Sequence, residues 1–288
     1  MDRRDFLAAL AATATGTLPA PGSRLPAHSA SLFAPRSAIL SPLGVQLYTV
    51  RDAMQRDVEG TLARVAEIGY REVEFAGYFD RTPQQIRAAL DANHLSAPSA
   101  HVSLDALEGD AAVRTIEAAH IVGHTYLVVP SLPAELRRTL DDWRQVAARF
   151  DRIGERTSAA GIQFAYHNHE GEFPLLEGHV PFDVLLEAAD PQLVQVELDL
   201  YWITKAGGDP LAYFRRWPGR IPMVHVKDSM GPPEHRMADV GAGTIDWRSL
   251  FAQRRRAGIR HYFVEHDEPA DPFASITASY RYLSRLNV

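Results

Sequence analysis

Cysteine is missing from this 288-residue sequence. Its absence excludes disulfide bonds, thiolate nucleophiles, and zinc or iron–sulfur sites with cysteine ligands. Any metal ion must therefore be held by His, Asp and Glu, and the chain offers 12 histidines and 36 acidic residues. Lysine is nearly missing too, because Lys205 and Lys227 are the two lysines among 30 basic residues. A lysine in a polar motif of this chain therefore stands out.

The sequence also lacks an excess of positive charge. Its formal net charge is −6, its pI is about 6.1, and 46% of its residues are hydrophobic. This balance is typical of a folded globular chain and gives no general attraction to nucleic acid or to an anionic membrane. We therefore expect no nucleic-acid partner.

No stretch of the sequence is long and apolar enough to span a bilayer. The first 40 residues still differ from the rest, because MDRRDFLAAL places Arg3 and Arg4 before a short Ala/Thr-rich run that ends among Pro and Ser. This order resembles a twin-arginine export signal. We predict a signal peptide and linker over residues 1–40 and a periplasmic or otherwise exported domain over residues 41–288. No stable membrane insertion is expected after signal removal.

A strand-and-helix rhythm fills the rest of the chain. Short β-branched or aromatic segments recur at residues 44–50, 72–77, 96–104, 125–130, 162–169, 193–202, 221–228 and 261–268. The stretches between them carry apolar residues at helical spacing, and several end in a glycine that favours a helix stop. Eight such repeats predict a single-domain (β/α)8 TIM barrel. An open doubly wound sheet usually has a glycine-rich turn after its first strand, but YTVRDAMQRD has none.

Polar side chains stand near the end of nearly every predicted strand. In chain order they are Gln46, Glu74, His101, His167, His169, Glu197, Asp199, His225, Lys227, Glu265 and Asp267. Barrel active sites lie where strands end and the following loops begin, so we expect these groups to converge on one mouth. Buried charges are costly unless they are paired or bind metal. A cysteine-free set of His, Asp and Glu suits Mn²⁺, Mg²⁺, Co²⁺ or Zn²⁺.

Five motifs, in this order, resemble the sugar phosphate isomerase/epimerase family of xylose isomerase-like barrels: GVQLYTVRD, AYHNHEGEF, ELDLYW, HVKD and VEHDE. The resemblance covers the chain from about Leu43 to its end. It implies one divalent metal ion at the ends of strands five to eight, with Asp199, His225 and Glu265 at three of the ligand positions. His167 stands at the fourth position, where many members have Glu. The ligand set implied for this chain is therefore His167, Asp199, His225 and Glu265.

The activity that the resemblance implies is isomerisation or epimerisation of a sugar or keto-sugar through an enediolate. In ketose 3-epimerases of the family, two metal-bound glutamates also move the protons. His167 cannot do this while it binds the metal, so Glu74, Glu265 and His169 are the candidates for proton transfer. Lys227 is the candidate donor to the developing oxyanion.

Four further residues are predicted to contact the substrate. Gln46 and His101 would bind its hydroxyl groups, and His235 and Arg236 lie in the loop that follows HVKD. The resemblance also allows a homo-oligomer, whose size the sequence does not fix.

Two other functions stay open. A lyase or hydratase would use the same site to expel a substituent from a keto-sugar or 3-keto-glycoside, and an exported location favours such substrates because sugar phosphates are mainly cytoplasmic. A non-catalytic sugar-binding protein would have lost the metal ligands, which are present here. DNA repair is disfavoured by the net charge of −6 and by Trp202, which stands where endonuclease relatives have a further His ligand.

Overall fold

The computed structural model describes residues 40–288, so the predicted export signal lies, apart from Leu40, outside the described residues. Eight parallel strands close into a barrel. They are β1 (Gly44–Gln46), β2 (Glu72–Phe75), β3 (Ser96–His101), β4 (Tyr126–Val129), β5 (Gln163–His167), β6 (Val194–Asp199), β7 (Met223–Val226) and β10 (His261–Val264). A short antiparallel ribbon, β8 (Asp228–Ser229) and β9 (Met237–Ala238), follows β7 along the chain. The predicted TIM barrel is confirmed.

The barrel order is β1, β2, β3, β4, β5, β6, β7 and β10, with β10 pairing back to β1. The helices are α1 (Arg51–Arg56), α2 (Val58–Ile68), α3 (Pro83–Ala92), α4 (Gly109–Val122), α5 (Leu140–Ala159), α6 (Pro181–Ala188), α7 (Leu200–Lys205), α8 (Pro210–Arg216), α9 (Trp247–Ala252), α10 (Arg254–Ala257) and α11 (Pro272–Leu283). Short 3₁₀ turns occupy Leu47–Val50, Leu104–Leu107, Ala134–Leu136 and Glu170–Glu172. Among the described helices, none is both long and apolar enough to cross a membrane.

Several helices stop at a glycine as the sequence predicts, and threonines cap the starts of two others. Thr82 and Thr139 begin α3 and α5 with reciprocal side-chain and backbone hydrogen bonds of the capping-box type. Gly123 and Gly258 follow α4 and α10 with φ of +95° and +89°, a left-handed conformation that favours glycine.

A small apolar plug fills the inside of the barrel. It consists of Tyr126, Val128, Ala165, Met223 and Phe263, all 8% exposed or less. Because side chains alternate along a strand, the residue two positions further on points to the same side. The inward positions above this plug are therefore occupied by the polar residues of β5, β7 and β10. The apolar plug thus forms the base on which the polar cluster rests.

All eight barrel strands are shorter than the predicted segments, and in two of them a polar side chain at the strand end caps the turn that follows. β1 ends at Gln46, whose Oε1 accepts a hydrogen bond from Tyr48 N at 3.0 Å and starts a 3₁₀ turn. β6 ends at Asp199, whose Oδ1 accepts from the backbone N–H groups of Tyr201 and Trp202, both at 2.9 Å. A residue that caps a helix start has left the strand, so each strand stops at its site residue.

Candidate metal centre and active site

Glu197 lies at the middle of the polar cluster. Its Oε2 lies 2.7 Å from His101 Nε2, 3.1 Å from His167 Nδ1 and 3.2 Å from His225 Nε2. The side chain is fully buried. Burial acts to raise the pKa of Glu197, but the charges of His225 and His101 outweigh it and hold that pKa well below its ordinary value. Glu197 is therefore an ionised acceptor shared by imidazoles from three strands.

Glu74 forms a second buried acceptor below these rings. Its Oε2 lies 2.7 Å from His225 Nε2 and accepts from Gln46 Nε2 at 2.8 Å, while Ser99 donates to its other oxygen. Burial, together with the charge of Glu197, raises the pKa of Glu74. Glu74 thus orients His225 from below, and Gln46 in turn holds Glu74.

These two carboxylates decide which ring nitrogens are free. His225 directs Nε2 at Glu74 and Glu197, so its Nδ1 faces Glu265 Oε2 at 2.8 Å and Asp199 Oδ2 at 3.9 Å. His167 directs Nδ1 at Glu197, and its Nε2 lies 3.7 Å from Asp199 Oδ2. Burial lowers the pKa of His167 well below its ordinary value, so its Nε2 presents a lone pair. Burial also acts to lower the pKa of His225, but the carboxylates on both sides of the ring outweigh it and raise that pKa, so a metal ion would have to replace the proton on Nδ1. A carboxylate on one ring nitrogen and a metal on the other is the usual arrangement for a histidine ligand.

The residues present fit a divalent metal ion. Asp199, His225 and Glu265 each offer a ligand atom, and these atoms lie within 4.8 Å of one another. Among the described residues, Glu197 Oε1 is buried without a hydrogen-bond partner, and the buried Asp199 Oδ2 has the cation Lys227 Nζ beside it at 3.1 Å. Buried oxygens of this kind are costly unless a cation or a donor satisfies them. His101, His167, Glu197 and His225 form a second group of ligand atoms with the same spacing. In that group, however, the imidazoles already point at Glu197.

Lys227 neutralises part of the negative charge. Its Nζ lies 2.6 Å from Glu265 Oε2, 2.9 Å from Asp267 Oδ1 and 3.1 Å from Asp199 Oδ2. Burial acts to lower the pKa of Lys227, but the three carboxylates outweigh it and raise that pKa well above its ordinary value. Lys227 is therefore a fixed positive charge at the site and not a base.

Two further histidines of the site, His169 and His101, have pKa values shifted in opposite directions. Burial, helped by the charge of Lys227, lowers the pKa of His169 to about 4. Burial also acts to lower the pKa of His101, but Glu74 and Glu197 outweigh it and raise that pKa above its ordinary value. The rings of His101 and His169 lie 5.2 and 5.0 Å from the ring of His167, one from β3 and one from the end of β5.

A cavity of about 840 Å³ opens above this cluster. Eleven residues were given a metal, catalytic or substrate role from the sequence. Five of them line the cavity, namely His101, His167, His169, Lys227 and Glu265. Four others are fully buried and lie beyond the lining, namely Gln46, Glu74, Asp199 and His225.

The last two predicted residues stand apart from the cavity. His235 and Arg236 lie between β8 and β9, outside the lining, and the His235 carbonyl accepts from Tyr201 OH at 2.7 Å. Their substrate contact stays a prediction.

Two features of the site were not assigned a role from the sequence. Glu197 precedes Asp199 by two residues and so shares its face of β6, which was the available signal. Arg51 lines the cavity from the turn after β1, where its Nη1 donates to the carbonyls of Tyr48 and Asp267 at 2.9 and 2.8 Å. Nothing in a local motif predicts that second contact, because it joins residues 216 positions apart.

Known proteins match both the sequence and the structure. The xylose isomerase-like TIM barrel family matches residues 62–285. Inosose dehydratase of Lacticaseibacillus casei is 25% identical over 254 residues, covering 75% of this chain and 85% of the relative. A sugar phosphate isomerase/epimerase from Parabacteroides distasonis ATCC 8503 has a TM-score of 0.75 at 26% identity, covering 85% of this chain and 98% of that one. The IOLI protein with a bound zinc atom is similar in fold alone, with a TM-score of 0.65 at 14% identity over 83% of this chain and 95% of that one.

Asp199→Asn should abolish tight metal binding while keeping the fold. Asn caps a helix as well as Asp does, so α7 retains its start, but the charged ligand oxygen is lost. We expect metal affinity, measured by calorimetry and by elemental analysis after dialysis, to fall by at least about 10–100-fold, the loss that even outer-sphere changes cause. Asp209→Asn is the matched control, because Asp209 caps α8 at an exposed position. Unchanged metal content in Asp199→Asn would place the metal elsewhere.

Glu197→Gln should weaken metal binding although it removes no ligand of the Asp199, His225 and Glu265 group. An amide cannot accept from three imidazoles as a carboxylate does, so His167 and His225 lose their fixed orientation. We expect a roughly 10–100-fold lower metal affinity by calorimetry. Glu187→Gln on the exposed face of α6 is the control. Wild-type affinity in Glu197→Gln would show that the shared acceptor does not orient the ligands.

Proposed function

The chain belongs to the xylose isomerase-like TIM barrel family, and we propose that it is a divalent-metal-dependent enzyme that removes the proton beside the carbonyl of a sugar-like ketone. The favoured outcome is loss of the neighbouring hydroxyl group as water, which makes the protein a dehydratase. The observation on which this rests is the pair His101 and His169, which line one cavity with ring centroids 5.2 and 5.0 Å from that of His167.

The metal would be held by Asp199, His225 and Glu265, with His167 Nε2 beside them. Bound there, a divalent ion supplies Lewis acidity that polarises the substrate carbonyl and makes the adjacent C–H more acidic. Mn²⁺, Mg²⁺, Co²⁺ and Zn²⁺ all suit these nitrogen and oxygen ligands. The similar IOLI protein binds zinc, which supports Zn²⁺ among them.

His169 is assigned the role of base. Its imidazole lines the cavity and is neutral near pH 7, because burial lowers its pKa to about 4. It can therefore accept the proton from the carbon next to the carbonyl without first losing one itself. Its ring packs against Trp202 with 5.7 Å between centroids, which fixes its direction. Lys227 remains charged and stabilises the negative charge that develops on the substrate oxygen.

His101 is assigned the role of acid. The carboxylates of Glu74 and Glu197 keep its imidazole protonated, with a raised pKa, and it lines the same cavity. The C–H proton passes to His169, the C–O bond breaks with its electron pair going to oxygen, and His101 donates the proton that completes a water molecule. The products are water and an unsaturated ketone, and the two imidazoles then exchange protons with solvent. Groups whose environments separate their pKa values in this way are typical acid and base partners.

Isomerisation or epimerisation is the second candidate. It needs the proton to return to carbon, and the similar Parabacteroides protein is named for such an activity. Dehydration is preferred for two reasons. One is that His167 stands where a proton-moving glutamate would serve an epimerase. The other is that the relative from L. casei is named inosose dehydratase. A non-catalytic sugar-binding protein has no need of oppositely tuned histidines and is the least favoured.

His169→Gln and His101→Gln should fail at different steps when metal-loaded protein is given an inosose, a cyclic polyhydroxy ketone, in D₂O. His169→Gln should lose both deuterium exchange at the carbon beside the carbonyl and the ultraviolet absorbance of the unsaturated ketone. His101→Gln should keep the exchange and lose the absorbance. Each loss should be about 100-fold or more, the usual size of an acid or base contribution.

The control for this pair is His120→Gln, a change at an exposed position of α4 that should leave both rates unchanged. Deuterium exchange with an epimeric product and no absorbance would favour the isomerase. Equal activity of all three variants would contradict both assignments.

We also propose that the protein is exported, on the strength of Arg3 and Arg4 ahead of a short apolar run. Substrates would then be free ketones found outside the cytoplasm. Replacement of both arginines by lysine should leave the full-length protein in the cytoplasmic fraction of a host with a twin-arginine pathway, whereas the wild type should reach the periplasm. Equal distribution of the two forms would contradict export by this route.

A further inference from the structure

The cavity above the polar cluster has one charged side and one apolar side. Lys227 and Glu265 reach it from the ends of β7 and β10, which are neighbours in the barrel. The loops after β3 and β4 lie diametrically across the mouth, because β3 and β7, like β4 and β10, are four positions apart in the closed order of eight strands. A substrate whose carbonyl lies beside Glu265 therefore extends toward the loops after β3 and β4.

Apolar side chains form the side of the cavity opposite Lys227 and Glu265. We call this set the apolar wall, and its members are Val102, Leu104, Pro130, Leu132 and Pro133. Leu104 and Leu132 are only 4% exposed, so the wall is backed by the core and does not collapse into solvent. The cavity volume of about 840 Å³ lies toward the upper end of the roughly 300–1,000 Å³ typical of small-molecule sites. One sugar ring leaves much of that space, including the apolar wall, unfilled.

The charges of the cavity disfavour an anionic substrate. Of the described residues that line it, Lys227 and Arg51 carry permanent positive charge. Lys227 is already shared by three carboxylates, and Arg51 Nη1 is committed to two backbone carbonyls. Asp105 and Glu268 add negative charge at the rim. A phosphate group would thus meet four lining carboxylates, those of Asp105, Glu265, Asp267 and Glu268, against two permanent cations, whereas an uncharged group would meet no such repulsion.

We propose that the substrate carries, beyond the reacting ring, an uncharged and largely apolar ring-bearing group that packs on the apolar wall. A keto-glycoside with an aromatic aglycone is the chemical class that fits. This proposal rests on the proposed function for the position of the reacting ring, and it adds a second subsite, the loops after β3 and β4, that selects the substituent. Sugar phosphates are disfavoured by the charges of the same cavity.

The test uses unreactive ligands, so that it does not depend on turnover. Metal-loaded wild-type protein is titrated by calorimetry with phenyl glucoside, methyl glucoside and glucose 6-phosphate. Phenyl glucoside should bind at least about 10-fold more tightly than methyl glucoside, since filling an apolar pocket with extra carbon atoms gives differences of this order. Glucose 6-phosphate should bind no better than methyl glucoside.

Val102→Thr makes the wall polar without changing its shape. It should weaken phenyl glucoside binding by roughly 3- to 10-fold, the effect of exchanging one buried methyl for a hydroxyl, and leave methyl glucoside unchanged. Val113→Thr is the matched control, because Val113 is 55% exposed on α4 and does not line the cavity. The comparison of ligands on wild-type protein stands even if a variant folds poorly.

Three results would overturn the proposal: equal affinity for phenyl and methyl glucosides, no binding of phenyl glucoside at millimolar concentration, or preferred binding of the phosphate. Failure of the proposed function looks different. In that case no ketone gives an unsaturated product or deuterium exchange, while the preference for the phenyl ligand and its loss in Val102→Thr remain.

Discussion

The carboxylate of Glu197, shared by His101, His167 and His225, is the interaction on which the site depends. A buried charge is stabilised only by well-aligned partners, and these come from β3, β5 and β7. By taking one nitrogen of each ring, Glu197 turns the second nitrogen of His167 toward Asp199. Burial acts to lower the pKa of His101, but the charge of Glu74 and this same interaction outweigh it and raise that pKa. Ligand geometry and acid strength thus have one common cause.

His167, Asn168 and His169, at the end of β5, have three different roles. His167 Nε2 lies 3.7 Å from Asp199 Oδ2, and His169 lines the cavity. Asn168 is fully buried between them, where its Oδ1 accepts from Asp199 N at 2.9 Å and ties β5 to the end of β6. Oδ1 of Asp199 then caps α7, which leaves Oδ2 directed toward Lys227 and His167. Asn168, a structural residue between two histidines of the site, thus holds Asp199 of the neighbouring strand in place.

The sequence was enough to predict the barrel, because hydrophobic period and helix-ending glycines are local signals. It also predicted most of the polar cluster, since strand ends of a barrel meet at one mouth. It did not reveal that Gln46 and Glu74 support the site from below, because depth along a strand depends on register with its neighbours. The role of Glu197 was missed for a related reason: its three partners are 28 to 96 positions away along the chain, and only closure of the barrel brings them together.

If Glu197 orients the imidazoles of His167 and His225, a metal ion should bind at the ring nitrogens that do not face Glu197. Anomalous X-ray scattering at the zinc edge, from crystals grown with Zn²⁺, tests this most directly. We expect one peak about 2.0–2.2 Å from Asp199 Oδ2, His225 Nδ1 and Glu265 Oε2. A peak beside Glu197 and His101, or none within the barrel mouth, would contradict this role of Glu197.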